Sequence, residues 1–104
     1  MKIVKVTYST KAAYAATNQE NIKKVMNDLQ NLHHSGIFYH VCLGDDDKTF
    51  IHTAFFKSAE DQKTLNELPA FKYFQEQLKI SGPEIAPKQE WLTLVGSSTN
   101  IFNA

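Results

Sequence analysis

The stretch that decides the fold is Ile37–Leu43, IFYHVCL, which is followed by the acidic segment Gly44–Asp47, GDDD, and then by Lys48–Phe56, KTFIHTAFF. Both flanking segments are rich in β-branched and aromatic residues, which favour strands, and the acidic segment between them has the composition of a turn. The pattern predicts a β-hairpin.

A turn centred near Asp46 places residues whose numbers sum to about 92 opposite each other, because antiparallel partners run in opposite directions. Side chains alternate between the two faces of a strand. One face of the hairpin then carries Phe38, His40, Cys42, Phe50, His52, Ala54 and Phe56. The other face has no charge and carries Ile37, Tyr39, Val41, Leu43, Thr49, Ile51, Thr53 and Phe55. We expect helices to pack on this second face.

In this register His40 and His52 are near cross-strand neighbours, whereas a slip of one residue would separate them. Imidazoles transfer protons near neutral pH, so both histidines are candidate catalytic residues. The alternative is that they are two half-buried structural histidines. Zinc needs three or four ligands and only Cys42 is an obvious third, so we expect no metal.

Neither face of the hairpin is polar enough to be left in water, so both must be covered. A chain of 104 residues forms one domain, residues 1–104, and covers only one face of its sheet with helices. The second face is therefore predicted to meet a ligand or another protein chain.

The composition excludes several classes of protein. Eleven basic residues balance eleven acidic ones, and all eleven are Lys, so the chain lacks the basic excess and the Arg forks of a nucleic-acid-binding surface. The one cysteine, Cys42, forms no internal disulfide. We find neither a signal peptide nor an apolar run long enough to span a membrane, and we expect a cytoplasmic protein.

Further elements flank the hairpin on both sides. Lys2–Tyr8 alternates like a strand, and Thr17–Glu20 resembles a capping box that begins a helix. That helix has an apolar stripe at Ile22, Val25, Met26, Leu29 and Leu32. Gly36 has the position of a left-handed helix stop.

After the hairpin, Ser58–Asp61 predicts a second helix, which Pro69 should break into two pieces. Ser81–Gln89 is predicted as a loop and Glu90–Gly96 as the last strand. The tail, Ser97–Ala104, contains Ile101 and Phe102 and is expected to dock on another surface. The order βαββαβ predicts an α+β, ferredoxin-like fold, a four-stranded antiparallel sheet with two helices on one face.

Two resemblances fit this order of elements. Lys48–Phe56 and the helix start after it resemble the third strand and second helix of an RNA-recognition motif. However, the glycines of that motif are absent, His52 and Ala54 stand among the expected aromatics, and the second helical region is too long. An RNA-binding protein is the lesser alternative.

The segment Phe55–Asp61, the break Leu68–Phe71 followed by Phe74, and the first and last strands resemble the antibiotic biosynthesis monooxygenase-like family. This resemblance covers nearly the whole chain. It implies a dimeric α+β barrel, in which two sheets cover each other's second face, and a pocket between sheet and helices in each subunit. The partner that it implies is a second copy of this chain.

The family includes cofactor-independent oxygenases of aromatic polyketides, quinol-modifying enzymes and haem degraders. The haem degraders rely on an Asn in the first strand and a Trp and a His on the second helix. Here Thr7, Leu65 and Gln75 stand near those places, which argues against haem, and we expect no cofactor.

The resemblance therefore implies a cofactor-independent monooxygenase acting on a small aromatic or quinol-like molecule. The proposed walls of its pocket are Tyr8, Tyr39, Phe50 and Trp91. In the predicted register His40 and His52 lie on the side away from the helices, which makes Tyr39 the better pocket residue. The alternative is a non-catalytic ligand-binding or stress-response module of the same fold.

Overall fold

The structure of the protein, a computed structural model, describes residues 1–102. The strands in this range are β1 (Lys2–Ser9), β2 (Ile37–Leu43), β3 (Thr49–Phe56) and β4 (Ile85–Leu92). The helices are α1 (Ala15–Leu32), α2 (Ala59–Glu67) and α3 (Pro69–Ser81). Within the same range no helix is both long enough and apolar enough to cross a membrane.

The four strands form one antiparallel sheet in the order β2-β3-β1-β4, and the helices pack on one of its faces. This confirms the predicted ferredoxin-like α+β fold. The second helical region is broken at Pro69 into α2 and α3, as predicted. Proline suits the first position of α3, where its missing N–H costs no helical hydrogen bond.

The predicted register of the hairpin is wrong by one residue. Paired residues sum to 93, as in Ile37 opposite Phe56, and Gly44 N donates to Thr49 O at 2.8 Å. The Asp46 Oδ1 atom accepts from the backbone N–H groups of Lys48 and Thr49, at 3.1 and 2.9 Å. This carboxylate stabilises the turn in the observed register.

The shift of one residue changes which side chains share a face. Tyr39 and Val41 of β2 now lie with His52 of β3 on the helix face. His40 and Cys42 lie on the opposite face, together with Phe38 and Phe55, which we call the open face. His40 and His52 therefore point away from each other and are not cross-strand neighbours.

The predicted start of the first helix is wrong, and so is the residue predicted to adopt the left-handed conformation after it, although the helix does end at Leu32, directly before His33. The helix begins at Ala15 rather than at the Thr17–Glu20 box, because the preceding 3₁₀ turn, Ala12–Tyr14, runs directly into it. The left-handed residue at its end is His33, with φ 51°, and not Gly36. Glycine is required at position 36 for another reason, since a Cβ there would overlap the carboxylate of Asp61.

The predicted start of α2 is confirmed by a complete capping box. Asp61 Oδ2 accepts from Ser58 N at 2.9 Å and from Ser58 Oγ at 2.8 Å. The other carboxylate oxygen of Asp61 lies 3.3 Å from His34 Nε2. One buried carboxylate thus connects the start of α2 to the segment between α1 and β2.

The last strand begins five residues earlier than predicted and ends at Leu92. The sequence predicts a loop there because the segment 85–89 contains Pro87. β4 is an edge strand, where a residue without an N–H is tolerated, and its pairing with β1 is irregular between Thr7 and Ser9. In the tail, Ile101 and Phe102 are partly buried, and residues 103–104 lie outside the described range.

Candidate functional site

A cavity of about 630 Å³ lies between the helix face of the sheet and helices α2 and α3. Its volume is typical of sites for small molecules. Apolar side chains form most of its wall, and they are Val4, Val6, Ala54, Phe56, Leu65, Phe71, Phe74, Leu78, Pro83, Ala86 and Pro87. The interior surface offered to an occupant is therefore more apolar than polar.

The main polar feature of this wall is a cluster of three side chains around His52. Tyr39 Oη lies 2.5 Å from Nδ1 of His52, and Tyr8 Oη lies 2.8 Å from Nε2. Both ring nitrogens of the imidazole are therefore hydrogen-bonded to phenols. All three side chains line the cavity. We call them the Tyr8–His52–Tyr39 triad.

The sheet register positions the triad. Val41 and Val6 flank His52 on the neighbouring strands, so Tyr39 and Tyr8, two residues along those strands, point to the same face. The ring of His52 also stacks on Phe74 of α3, with ring centroids 5.4 Å apart. His52 is only 5% exposed and is enclosed by aromatic rings.

Burial keeps the triad uncharged. It lowers the pKa of His52 to about 3, because the imidazolium form loses its hydration inside the protein. Burial also raises the pKa values of Tyr39 and Tyr8, and for Tyr8 a hydrogen bond from Asn18 partly opposes that rise. At neutral pH the triad is one imidazole and two phenols, all neutral.

Asn18 of α1 extends the triad away from the cavity. Its Nδ2 donates to Tyr8 Oη at 2.8 Å, and the residue is fully buried. The sequence analysis missed this residue. The signal was present, since Asn18 precedes Ile22 and Val25 by four and seven residues and so occupies the apolar stripe of α1.

Further polar side chains line the cavity, and the sequence analysis did not assign them to it. They come from α2, α3 and β4 and are Gln62, Asn66, Gln75, Lys79 and Gln89. Lys79 is the only charged residue among the described residues of the wall. Four of the five are exposed, which indicates that they stand toward the mouth of the cavity rather than in its interior.

The structure brings together three of the six residues predicted for the site, namely Tyr8, Tyr39 and His52. Phe50 is 1% exposed and stacks beneath Tyr8, at a centroid distance of 5.5 Å, without lining the cavity. Trp91 is 56% exposed on the edge strand and is not part of the wall. His40 is exposed on the open face, away from the triad.

The open face carries an apolar patch at one end of the sheet. Phe38 is 45% exposed and stacks on Phe55 at a centroid distance of 5.5 Å. Ile3 lies beside Phe55 on β1, and Leu92 lies beside Ile3 on β4. Cys42 is exposed on this face.

The fold and the cavity define a ferredoxin-like α+β protein with an aromatic pocket between sheet and helices. No protein family model matches the sequence, and no curated protein matches it. Solved structures do match. A protein from Nitrosomonas europaea assigned to the antibiotic biosynthesis monooxygenases has a TM-score of 0.76 at 16% identity, covering 92% of this chain and 100% of its own.

Two further solved structures have the same fold. Rv0793 from Mycobacterium tuberculosis has a TM-score of 0.77 at 8% identity, over 94% of this chain and 98% of its own. SnoaB, a cofactor-independent oxygenase from Streptomyces nogalater, has a TM-score of 0.68 at 11% identity, over 95% of this chain and 98% of its own. The chain therefore has the fold of the antibiotic biosynthesis monooxygenases over nearly its whole length, and the predicted resemblance is confirmed for the fold.

Proposed function

We propose that this chain is an antibiotic biosynthesis monooxygenase-like protein that binds a small, flat aromatic or quinol-like molecule in the cavity and oxidises it without a cofactor. The observation that carries the proposal is the neutral Tyr8–His52–Tyr39 triad on the wall of an otherwise largely apolar cavity. The likeness of the fold to SnoaB, a cofactor-independent oxygenase, supports the reaction type.

The cavity supplies two things that such a reaction needs. Phe71 and Phe74 offer aromatic surface against which a flat ring system packs, and they exclude water from the reacting carbon. The triad supplies hydrogen bonds in a poorly solvated place, where they stabilise the charge that develops on a ring oxygen when the substrate gives up a proton to solvent water at the mouth of the cavity. The electron-rich anion then reacts with O₂.

The balance of the reaction is simple for an anthrone-type substrate. A ring methylene loses two hydrogens and gains one oxygen atom of O₂ as a carbonyl, while the second oxygen atom leaves as water. The substrate supplies the electrons, so neither flavin, haem nor metal is needed. The triad remains neutral before and after turnover.

Oxygen uptake with a panel of quinols and anthrone-type phenols tests this proposal. We expect uptake with at least one compound, with water rather than peroxide as the reduced product. Tyr39→Phe should lower kcat by about a hundred- to a thousandfold, the size expected when one stabilising donor is lost. Tyr73→Phe is the matched control, because Tyr73 also lies near this region on α3 but is exposed and does not line the cavity.

A second candidate is a non-catalytic ligand-binding or stress-response module. The observation in its favour is that His52, with its pKa lowered to about 3, is a weak base, and none of the described residues of the cavity wall is acidic. Saturable binding of a panel compound without oxygen uptake would favour this module. Catalytic oxygen uptake that Tyr39→Phe weakens would favour the monooxygenase.

We further propose that two copies pair through their open faces, that each copy is one domain over residues 1–104, and that the dimer acts in the cytoplasm. The apolar patch at Phe38, Phe55 and Leu92 supports pairing, because helices cover only the other face. Sedimentation velocity should give twice the chain mass of 11.8 kDa. Phe38→Lys should shift the protein toward the monomer, and a wild-type monomer at micromolar concentration would refute the pairing.

A further inference from the structure

Asn18 restricts the direction of the hydrogen bonds in the triad. Its Nδ2 donates to Tyr8 Oη, and its Oδ1 is buried without a partner among the described residues. Turning the amide over would bury an unpartnered NH₂ group in place of the carbonyl oxygen. Orphaned N–H donors are rarer in proteins than under-satisfied carbonyls, so the observed orientation is preferred.

Asn18 also fixes which of Tyr8 and His52 is the donor in the hydrogen bond between them. The Tyr8 oxygen already accepts from Asn18, and its own proton has one remaining neighbour, Nε2 of His52 at 2.8 Å. Tyr8 is 1% exposed, so an undonated hydroxyl proton would be costly. Tyr8 therefore donates to Nε2, and the single proton of the neutral imidazole is on Nδ1.

The last hydrogen bond, between His52 and Tyr39, determines what the cavity wall offers to a ligand. Nδ1–H of His52 donates to the oxygen of Tyr39, so the proton of Tyr39 is not engaged by the imidazole. Among the described residues the Tyr39 hydroxyl has no other hydrogen-bonding partner, and Tyr39 lines the cavity. Its O–H is therefore available to whatever occupies the cavity.

We infer that Asn18 and Tyr8 are positioning residues that hold His52 as the Nδ1–H tautomer, so that Tyr39 donates to an acceptor oxygen of the ligand. The ligand class is an aromatic ketone, a quinone or a phenolate rather than a molecule that offers only a donor. This inference rests on the proposed binding function and deepens it. It also places the donor where negative charge develops in the proposed oxidation.

The tautomer is tested directly on the unmodified protein. Histidine labelled with ¹⁵N distinguishes the two ring nitrogens by their chemical shifts, and His52→Gln identifies the signals of His52 among the four histidines. We expect the signal of a protonated Nδ1 and an unprotonated Nε2 at pH 7.5. A protonated Nε2 would overturn the inference.

The ligand preference is tested with two tricyclic compounds of nearly the same shape. Fluorenone offers a carbonyl acceptor, whereas carbazole offers an N–H donor. Equilibrium dialysis should show that the wild type binds fluorenone about tenfold more tightly, the size of one net hydrogen bond. Equal affinity, or a preference for carbazole, would overturn the inference.

Two variants test how the direction is set. In Asn18→Asp at pH 8, the carboxylate accepts the hydrogen bond from the Tyr8 hydroxyl. The direction of every hydrogen bond from Tyr8 through His52 to Tyr39 is then reversed, and with it the tautomer of His52 and the ligand preference. Tyr8→Phe removes the donor to Nε2 and should bring the two affinities to within about twofold. Asn27→Asp, an exposed change on the same helix, is the control and should keep the wild-type preference.

The outcomes separate the inference from the function on which it rests. If wild type binds neither compound, nor any member of the quinol panel, the proposed function fails. The ¹⁵N measurement of the His52 tautomer still tests the direction of the hydrogen bonds in that case. If both compounds bind and Asn18→Asp folds without altering their ratio, the function stands and the inference is wrong. If Asn18→Asp does not fold, the wild-type tautomer and the Tyr8→Phe ratio decide.

Discussion

Replacing Gly36 with alanine should destabilise the protein through a single carboxylate. A Cβ at position 36 would lie 2.6 Å from Asp61 Oδ2 and closer still to two other atoms of that carboxylate. Asp61 is itself 8% exposed and accepts two hydrogen bonds from Ser58 at the start of α2. The carboxylate must move away, and its hydrogen bonds are then lost.

The size of the effect follows from these contacts. Loss of a helix cap costs about 1–2 kcal/mol. The pair between His34 and Asp61, whose side chains are 30% and 12% exposed, contributes at most about 1 kcal/mol. We therefore expect Gly36→Ala to lower the free energy of unfolding by about 1–3 kcal/mol, and with it Tm by roughly 5–20 °C.

Urea unfolding followed by circular dichroism measures this change, with Gly96→Ala as the control. A Cβ at Gly96 meets no described atom within 4 Å, so this variant should stay within about 0.5 kcal/mol of wild type. In an Asp61→Ala background the obstacle is gone, and Gly36→Ala should then cost little. A similar cost in both backgrounds would refute the reasoning.

Three further predictions concern the triad, the hairpin turn and the core. The unfolded chain protonates His52 near pH 6.5, whereas the folded pKa is about 3, so acidification from pH 7.5 to 5 should lower the free energy of unfolding by about 2 kcal/mol through this residue. His52→Gln should remove that part of the pH dependence in urea titrations, and an unchanged dependence would contradict the burial of a neutral imidazole. Asp46→Ala should lower the urea midpoint because the turn loses its acceptor, while Asp45→Ala, next to it, should not; equal effects would exclude this role. Leu65→Ala in the core should cost about 2–5 kcal/mol by calorimetry, and a loss below 1 kcal/mol would show that α2 does not pack as described.

The order of elements was predictable because each signal is local. Ser58 and Asp61 lie three residues apart, and the capping box that they form needs only that spacing. Pro69 breaks the second helix wherever it lies in space, because its ring removes an N–H. The resemblance of the chain to a known fold depended on such local features.

The predictions were wrong at segments whose sequence is compatible with more than one local structure. Thr17–Glu20 has the sequence of a capping box, yet the preceding 3₁₀ turn already continues into α1. Asn18 therefore lies within the helix, with its side chain buried. Pro87 indicates a loop unless its strand lies at the edge of the sheet, where proline is tolerated. No local signal shows that β4 lies at that edge. These choices depend on what lies next to a segment in space.

The sequence by itself determined that residues 37–56 form a hairpin with alternating faces, and that His52 and two tyrosines were candidates for one site. Only the tertiary structure decided which residues of β3 share a face with those of β2. A shift of one residue moved every side chain of β3 to the face opposite the predicted one, whereas those of β2 stayed where predicted. The shift was set by the Asp46 turn and by the pairing of β3 with both β1 and β2. That pairing placed His52 between Tyr8 and Tyr39 and left His40 outside, because three strands must be aligned before three side chains meet.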